Sequence, residues 1–372
     1  MATVISQLES CRFKTRNQSS PVSKKTNIFL LILVYLPPLC LLLFLLANNF
    51  LPKTENVYSK IAKGQPISIL VAGDSIGAGS GASSPEFNFA NRLKAALQQK
   101  YSVTATVVNV SMGGNTTYAP LIRVFKLNKD HNFDLVIICS GENDDDSSLG
   151  KYYEALVRNV KTKYPNAEII SILQSSQKTY TDKIKTIQTI AKHYNIPTAD
   201  TIIPFTNGEN GPYSSLTVDD IHPSNKGYAI YTKVLENLIS TNILKNQASH
   251  IFKWRKLPHP IFPDSLDHAY FQAFSTNVLV RTENTFTGKI NFPKGSFLGM
   301  DIWYFRGLNS CKLVINDKPI TSQKINWEHD NKHYITELKK IDATGESQVS
   351  ITFGTKEQAD SFKGLFISCP LP

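Results

Sequence analysis

Cysteine is scarce in this chain of 372 residues: there are five, at positions 11, 40, 139, 311 and 369. That is too few for the dense disulfide framework of a small secreted scaffold. A Gly-Lys-Ser/Thr sequence is missing, which excludes a P-loop. The formal net charge is +10, yet no stripe of Lys and Arg interleaved with aromatics accompanies it, and part of the excess sits in the first 25 residues. Nucleic acid is therefore set aside as a partner. Repeats and low-complexity tracts are lacking too, and 41% hydrophobic with 19% charged residues is ordinary globular composition, so a disordered chain is excluded.

What is present begins with an uncharged apolar stretch, IFLLILVYLPPLCLLLFLLA, residues 28–47. Its length matches the roughly 20 residues needed for a helix to cross a hydrocarbon core of about 30 Å. Arg12, Lys14, Arg16, Lys24 and Lys25 precede it. The positive-inside bias then predicts a short cytoplasmic segment (1–27), a single-pass anchor (28–47) and an exported remainder, a type II arrangement in the cell membrane. A cleaved signal peptide fits less well, because LLANNF lacks a small-x-small cleavage pattern. Residues 48–65 read as a polar tether.

From there apolar runs alternate with helical patterns. Ile67–Ala72, Thr104–Val110, Leu135–Cys139, AEIISIL and IPTADTII read as strands; Glu86–Gln99, Ser148–Tyr164, Asp182–His193 and Ser224–Ile243 read as helices. Strands that are apolar throughout and separated by helices predict a parallel sheet covered on both faces, hence a three-layer α/β/α domain over 66–246. Beyond about residue 252 short β-type runs such as NVLVRT, MDIWYF and QVSITF, punctuated by Gly, Pro, Asn and Asp, predict a β-sandwich over 252–372. All three tryptophans, Trp254, Trp303 and Trp327, fall there, either filling a core or stacking on sugar. Cys311 and Cys369 also lie there, and the sequence leaves open a disulfide between them or two core thiols.

The chemistry concentrates at strand ends. Ser75 in VAGDSIGAGSGA follows the first strand of its domain; a serine there needs a base and oxyanion donors to act as a nucleophile. TVDDIHPSNKGY supplies the base candidate, with Asp219 three residues before His222 and Pro223 keeping His222 off a helix interior. That spacing lets the carboxylate fold back on the imidazole and fix its tautomer, as in a Ser-His-Asp triad. Donor candidates lie at two further strand ends, Gly113-Gly114 and Gly141-Glu142-Asn143-Asp144. A nucleophile elbow of the α/β-hydrolase kind would have several strands ahead of the serine, and a dinucleotide loop would carry an acidic residue after Val107–Val110, where Ser111 and Met112 stand. Asp144-Asp145-Asp146 reads as a solvated acidic loop rather than a metal site.

Taken in order, Gly73-Asp74-Ser75, Gly114, Gly141-x-Asn143-Asp144 and Asp219-x-x-His222-Pro223 resemble the four blocks of the SGNH/GDSL hydrolase superfamily, over about 67–243. Ile76 stands where Leu is usual in the first block. The resemblance implies a flavodoxin-like fold for the α/β domain, with Ser75 as nucleophile, His222 as general base and Asp219 as its partner. The Ser75 N–H, the Gly114 N–H and the Asn143 amide would form the oxyanion hole, and no metal or other cofactor is implied. The expected function is a membrane-anchored, extracytoplasmic serine esterase acting on acyl, chiefly O-acetyl, esters of cell-envelope glycans. Its alternatives are an O-acetyltransferase, a lipid or short-chain esterase, and a non-enzymatic glycan-binding surface protein.

Overall fold

The structure, a computed structural model, describes Leu36 and Pro38 and residues 55–128, 130–246, 257–262, 272–275, 279–304, 311–320 and 332–368. The chain divides into two units at residue 54, and among the described residues the sheets lie in the second, Glu55–Pro372. The expected membrane span at 28–47 lies, apart from Leu36 and Pro38, outside the described residues; among those described, no helix is long and apolar enough to cross a membrane.

The first half of this unit alternates strand and helix: α1 (Val57–Ala62), β1 (Ile67–Gly73), α2 (Ser75–Ala78), α3 (Phe89–Tyr101), β2 (Ala105–Asn109), α4 (Tyr118–Lys126), β3 (Leu135–Cys139), α5 (Asp146–Lys163), β4 (Glu168–Leu173), α6 (Asp182–His193), β5 (Thr198–Asp200), α7 (Ile202–Thr206), α8 (Tyr213–Leu216) and α9 (Asn225–Asn246). The strands pair in the order β2-β1-β3-β4-β5, and every pairing is parallel. Strand order reverses at the β1/β3 boundary, the switch point where open α/β sheets of this order bind ligands beyond their carboxyl ends. β3 is buried at all five positions because helices cover both faces. One core packs α4, α5 and α6 on one face; the other packs α1, α3 and α9 opposite.

Four sequence expectations need correction. The tether ends at α1, not at residue 65: Val57, Tyr58 and Ile61 are buried against the sheet, and Asn56 caps the helix by accepting the Ser59 N–H at 2.9 Å. The helix expected from Glu86 starts at Phe89, since Pro85–Phe87 forms a 3-10 turn and Asn88 caps by accepting the Asn91 N–H at 2.9 Å. IPTADTII breaks after Asp200, whose carboxylate accepts the Ile202 N–H at 2.9 Å and opens α7. Finally, α4 has no counterpart among the expected helices; its Pro120 sits in the first turn, where the missing N–H costs nothing.

The second half is antiparallel. β6 (Gln272–Ser275), β7 (Val280–Thr282), β8 (Thr285–Phe292), β9 (Phe297–Tyr304), β10 (Cys311–Ile315), β11 (Lys318–Ile320), β12 (Lys332–Lys340), β13 (Gly345–Phe353) and β14 (Phe362–Ser368), with α10 (Lys356–Asp360), form sheets ordered β11-β10-β13-β8-β7 and β12-β9-β14-β6. Phe286, Leu313 and Ile351 of the first sheet share a core with Leu298, Met300 and Leu365 of the second. Cys311 is a buried free thiol, pushed up to about 11 by that burial; Cys369 lies outside the described residues, as do Trp254 and Trp327.

Candidate active site

β1 delivers Ser75 to the carboxyl edge of the sheet. The chain leaves the strand at Gly73 and turns at once into α2, with Asp74 as its cap accepting the Ile76 N–H at 3.0 Å. Asp74 is fully buried and ties three strand ends together. It accepts the Gln174 Nε2–H at 2.9 Å on each oxygen, from the end of β4, and the Glu142 N–H at 3.3 Å, from the end of β3. Burial pushes its carboxyl up to about 6, against the pull of Gln174 and the two N–H groups. Ser75 is itself buried, at 6% exposure.

The partner loop is built to present an imidazole. Thr217 and Pro223 form an antiparallel bridge, and the Val218 N–H donates to His222 O at 2.9 Å, closing residues 218–222 into a tight loop. Within it Asp219 Oδ1 accepts the N–H groups of Ile221 at 3.2 Å and His222 at 2.7 Å. Its Oδ2 lies 2.7 Å from His222 Nδ1, and His222 Nε2 lies 2.8 Å from Ser75 Oγ. Those two contacts put hydroxyl, imidazole and carboxylate in one row, from residues 147 positions apart. Burial opposes the Asp219 charge, but the His222 N–H, the imidazole and the Ile221 N–H outweigh it, and the carboxyl sits below its ordinary value. Gly81, at φ +93°, packs beneath: a Cβ there would stand 2.5 Å from Pro223 O and 3.0 Å from His222 Cβ. The glycine cluster after Ser75 thus seats the histidine loop.

The candidate donor loops follow β2 and β3, and the first of them reaches Ser75. Gly113 lies against it, since a Cβ at Gly113 would be 3.7 Å from Ser75 Cβ. Gly114 follows at φ +69°, a left-handed turn that suits glycine. Asn143 donates one amide N–H to Asn115 O at 3.0 Å, which leaves the second N–H of that amide for a ligand. The reading of Asp144-Asp145-Asp146 as a solvated loop holds for Asp145 and Asp146, both exposed, and fails for Asp144, which is 2% exposed. Asp144 accepts the Thr117 N–H at 2.9 Å and the Thr117 hydroxyl at 2.8 Å, pinning the Asn143 loop to the start of α4. Burial pushes its carboxyl up to about 7, with Thr117 pulling the other way. No group of His, Cys, Asp and Glu suited to hold a metal is found among the described residues.

Several residues of this site escape a reading by motif. Gln174 bridges to Asp74; Tyr228 donates its hydroxyl toward Ser80 O at 2.7 Å and Ile76 O at 3.1 Å, bracing the turn behind Ser75; Asn115 orders the donor loop. Gln174 leaves the signal of a polar side chain ending an apolar strand and Asn115 that of one following a glycine pair, while Tyr228, inside α9, leaves none. Of the residues expected at the site, Ser75, His222 and Asp219 are joined by hydrogen bonds, Gly113-Gly114 adjoins Ser75, and Asn143 is bonded to the loop that follows them.

Comparison with known proteins bears on the family and the fold. Residues 71–230 match the GDSL-like lipase/acylhydrolase family. No curated protein sequence matches the chain. Among solved structures, a two-domain esterase (CEX) active on acetylated mannans superposes with a TM-score of 0.70 at 16% identity, covering 85% of this chain and 94% of that one. The same esterase co-crystallized with mannopentaose gives 0.69 at 16% identity, again over 85% and 94%. At that identity the likeness establishes a shared fold, and it extends over both halves. The α/β domain that carries the Ser75 rim belongs to the GDSL-like lipase/acylhydrolase family, and the protein is a carboxylic ester hydrolase of the GDSL type.

Proposed function

We propose that Ser75, His222 and Asp219 are a catalytic triad that deacylates O-acetylated glycans. The observation that carries the reading is the row Ser75 Oγ to His222 Nε2 at 2.8 Å and His222 Nδ1 to Asp219 Oδ2 at 2.7 Å. In it Ser75 Oγ attacks the ester carbonyl while His222 Nε2 takes the hydroxyl proton, and Asp219 holds the Nδ1–H tautomer and steadies the imidazolium. Negative charge forms on the carbonyl oxygen and is met by the N–H groups of Ser75 and Gly114 and the second N–H of Asn143. As the tetrahedral centre collapses, His222 returns the proton to the departing sugar oxygen. Water, deprotonated by His222, then attacks the acyl-serine and releases the carboxylic acid, restoring the Ser75 hydroxyl.

The glycan substrate is supported by the two-domain likeness to an esterase active on acetylated mannans, and the export of the catalytic domain by the charge asymmetry around residues 28–47. With an anchor of that kind, envelope polysaccharide is the ester within reach. The test is labelling of the purified protein with a fluorophosphonate, followed by acetate release from a panel of acetylated mannan, xylan and short-chain esters. Labelling of the wild type and none of Ser75→Ala, with acetate released from glycan, is expected. A Ser75→Ala protein that hydrolyses p-nitrophenyl acetate at the wild-type rate overturns the triad; short-chain ester cleavage without any glycan deacetylation overturns the substrate.

A further inference from the structure

The β domain meets the α/β domain beside the donor loop, and at that place one carboxamide bonds to both. Asn115, next to Gly114, is 2% exposed. Its Nδ2 donates to Gly113 O and to His333 O, each at 2.9 Å, and its Oδ1 accepts the Ile335 N–H at 3.0 Å. His333 O and Ile335 N are the two groups that a strand offers a parallel neighbour along one edge. β12 is paired to β9 on its other edge, so the Asn115 side chain stands where the next strand of that sheet would begin. Every hydrogen-bonding position of the carboxamide is in use bar one lone pair. At the same time the Asn115 backbone carbonyl takes the Asn143 amide at 3.0 Å.

The surroundings make this a rigid mount. Ile335 and Phe366 of the β domain lie in the core that α4 shares with the sheet. A Cβ on Gly299 would fall 2.2 Å from Tyr118 Oη, so β9 and the first turn of α4 are in close apposition. Asp301, buried on β9, is bonded to His333 Nε2 and to Lys126 Nζ at 3.2 Å.

We propose that Asn115 is a positioning residue that registers two of the three oxyanion donors, the Gly114 N–H and the Asn143 amide, to the backbone of β12, which makes the β domain a structural part of the active site. The inference rests on the catalytic reading of Ser75, His222 and Asp219. Oxyanion donors act by being held in place before charge develops, and misplacement by about 1 Å costs on the order of 10² in rate. Without the carboxamide, Gly113 O loses a donor, two groups of β12 lose their partner, and the Gly114 turn is no longer tied to the strand.

The experiment uses the full chain with Asn115→Ala, Asn115→Asp and Asp301→Asn, each titrated with a fluorophosphonate so that kcat is expressed per reactive site. Asn115→Asp keeps an acceptor for the Ile335 N–H but sets an oxygen against His333 O and Gly113 O. For p-nitrophenyl acetate, Asn115→Ala is expected to lower kcat by about 10- to 100-fold with KM within about 3-fold, and to slow phosphonylation by a similar factor. Asp301→Asn cuts the neighbouring ion pairs without touching the loop; it is expected to lower Tm and leave kcat within about 2-fold. A folded Asn115 variant of either kind with wild-type kcat per site overturns the proposal, and so does an Asp301→Asn loss as large as that of Asn115→Ala. Should Asn115→Ala fail to fold, Asn115→Asp decides alone. An active Ser75→Ala would instead bring down the triad itself; an inert Ser75→Ala beside a full-rate Asn115 variant brings down only this inference.

Discussion

The two halves of the molecule use their sheets in opposite ways. In the parallel sheet the central strands are sealed on both faces, as the unbroken burial of β3 shows, and the proposed chemistry lies at the strand ends, with Ser75, Gly114 and Asn143. In the antiparallel half the alternation of a strand is spent on two partners. Along β9, Leu298, Met300 and Ile302 fill the β domain's own core, while Gly299 and Asp301 between them face α4. β14 repeats the pattern, with Leu365 and Ile367 inward and Phe366 in the core of the other domain. A sheet with one open face can dock onto a neighbour; a sheet covered twice cannot. Burial in the first domain therefore serves the site by fixing strand ends, and burial in the second serves it by fixing a loop from outside.

That contrast can be broken or sharpened by substitution. After Ser75→Ala, whose kcat should fall at least about 10³-fold, the largest effect is expected from Asn143→Ala. Loss of one oxyanion donor should lower kcat by about 10² to 10³ with little change in Tm, which is checked by kinetics and calorimetry on one preparation. Ile61→Ala probes the sealed face. Ile61 has no exposure, so the cavity should cost about 2–5 kcal/mol in denaturant unfolding, and a change below roughly 0.5 kcal/mol would mean that α1 is a passive tether after all.

Gly299→Ala probes the docked face: the new methyl would meet the Tyr118 hydroxyl and should cost about 1–3 kcal/mol. If the junction is as close as β9 indicates, the wild type unfolds in one calorimetric transition and this variant begins to split it; two transitions in the wild type would deny the coupling. The smallest effect concerns pH. The carboxyls of Asp144 and Asp74 are pushed up to about 7 and about 6, so the folded chain keeps protons that the unfolded chain releases from about pH 4 upward. Their contribution to stability therefore falls as pH rises from about 4 to 7 and is flat above. Asp144→Asn should flatten the Tm profile over that window, and parallel profiles for the two proteins would refute the assignment.

Of the two domains, the sealed one is the more legible in the chain alone. Its strands are apolar runs, Asp182–His193 is preceded by its cap Thr181 and carries its own terminal charges, and Ser75, Asp219 and His222 stand in a recognisable order. Asp144 is misread because three consecutive aspartates look solvated, and only packing against Thr117 separates the first from the other two. α1 is hidden by the polar residues around its three buried ones.

Local pattern thus determined the strands of the parallel sheet, its longer helices apart from α1 and α4, and which side chains could pass a proton, since periodicity and residue type are written along the chain. The tertiary structure alone decided that the donor loop is clasped from the second domain. Asn115 meets groups 218 and 220 positions away, and those groups are a backbone carbonyl and a backbone N–H, atoms that every strand possesses and no residue type announces.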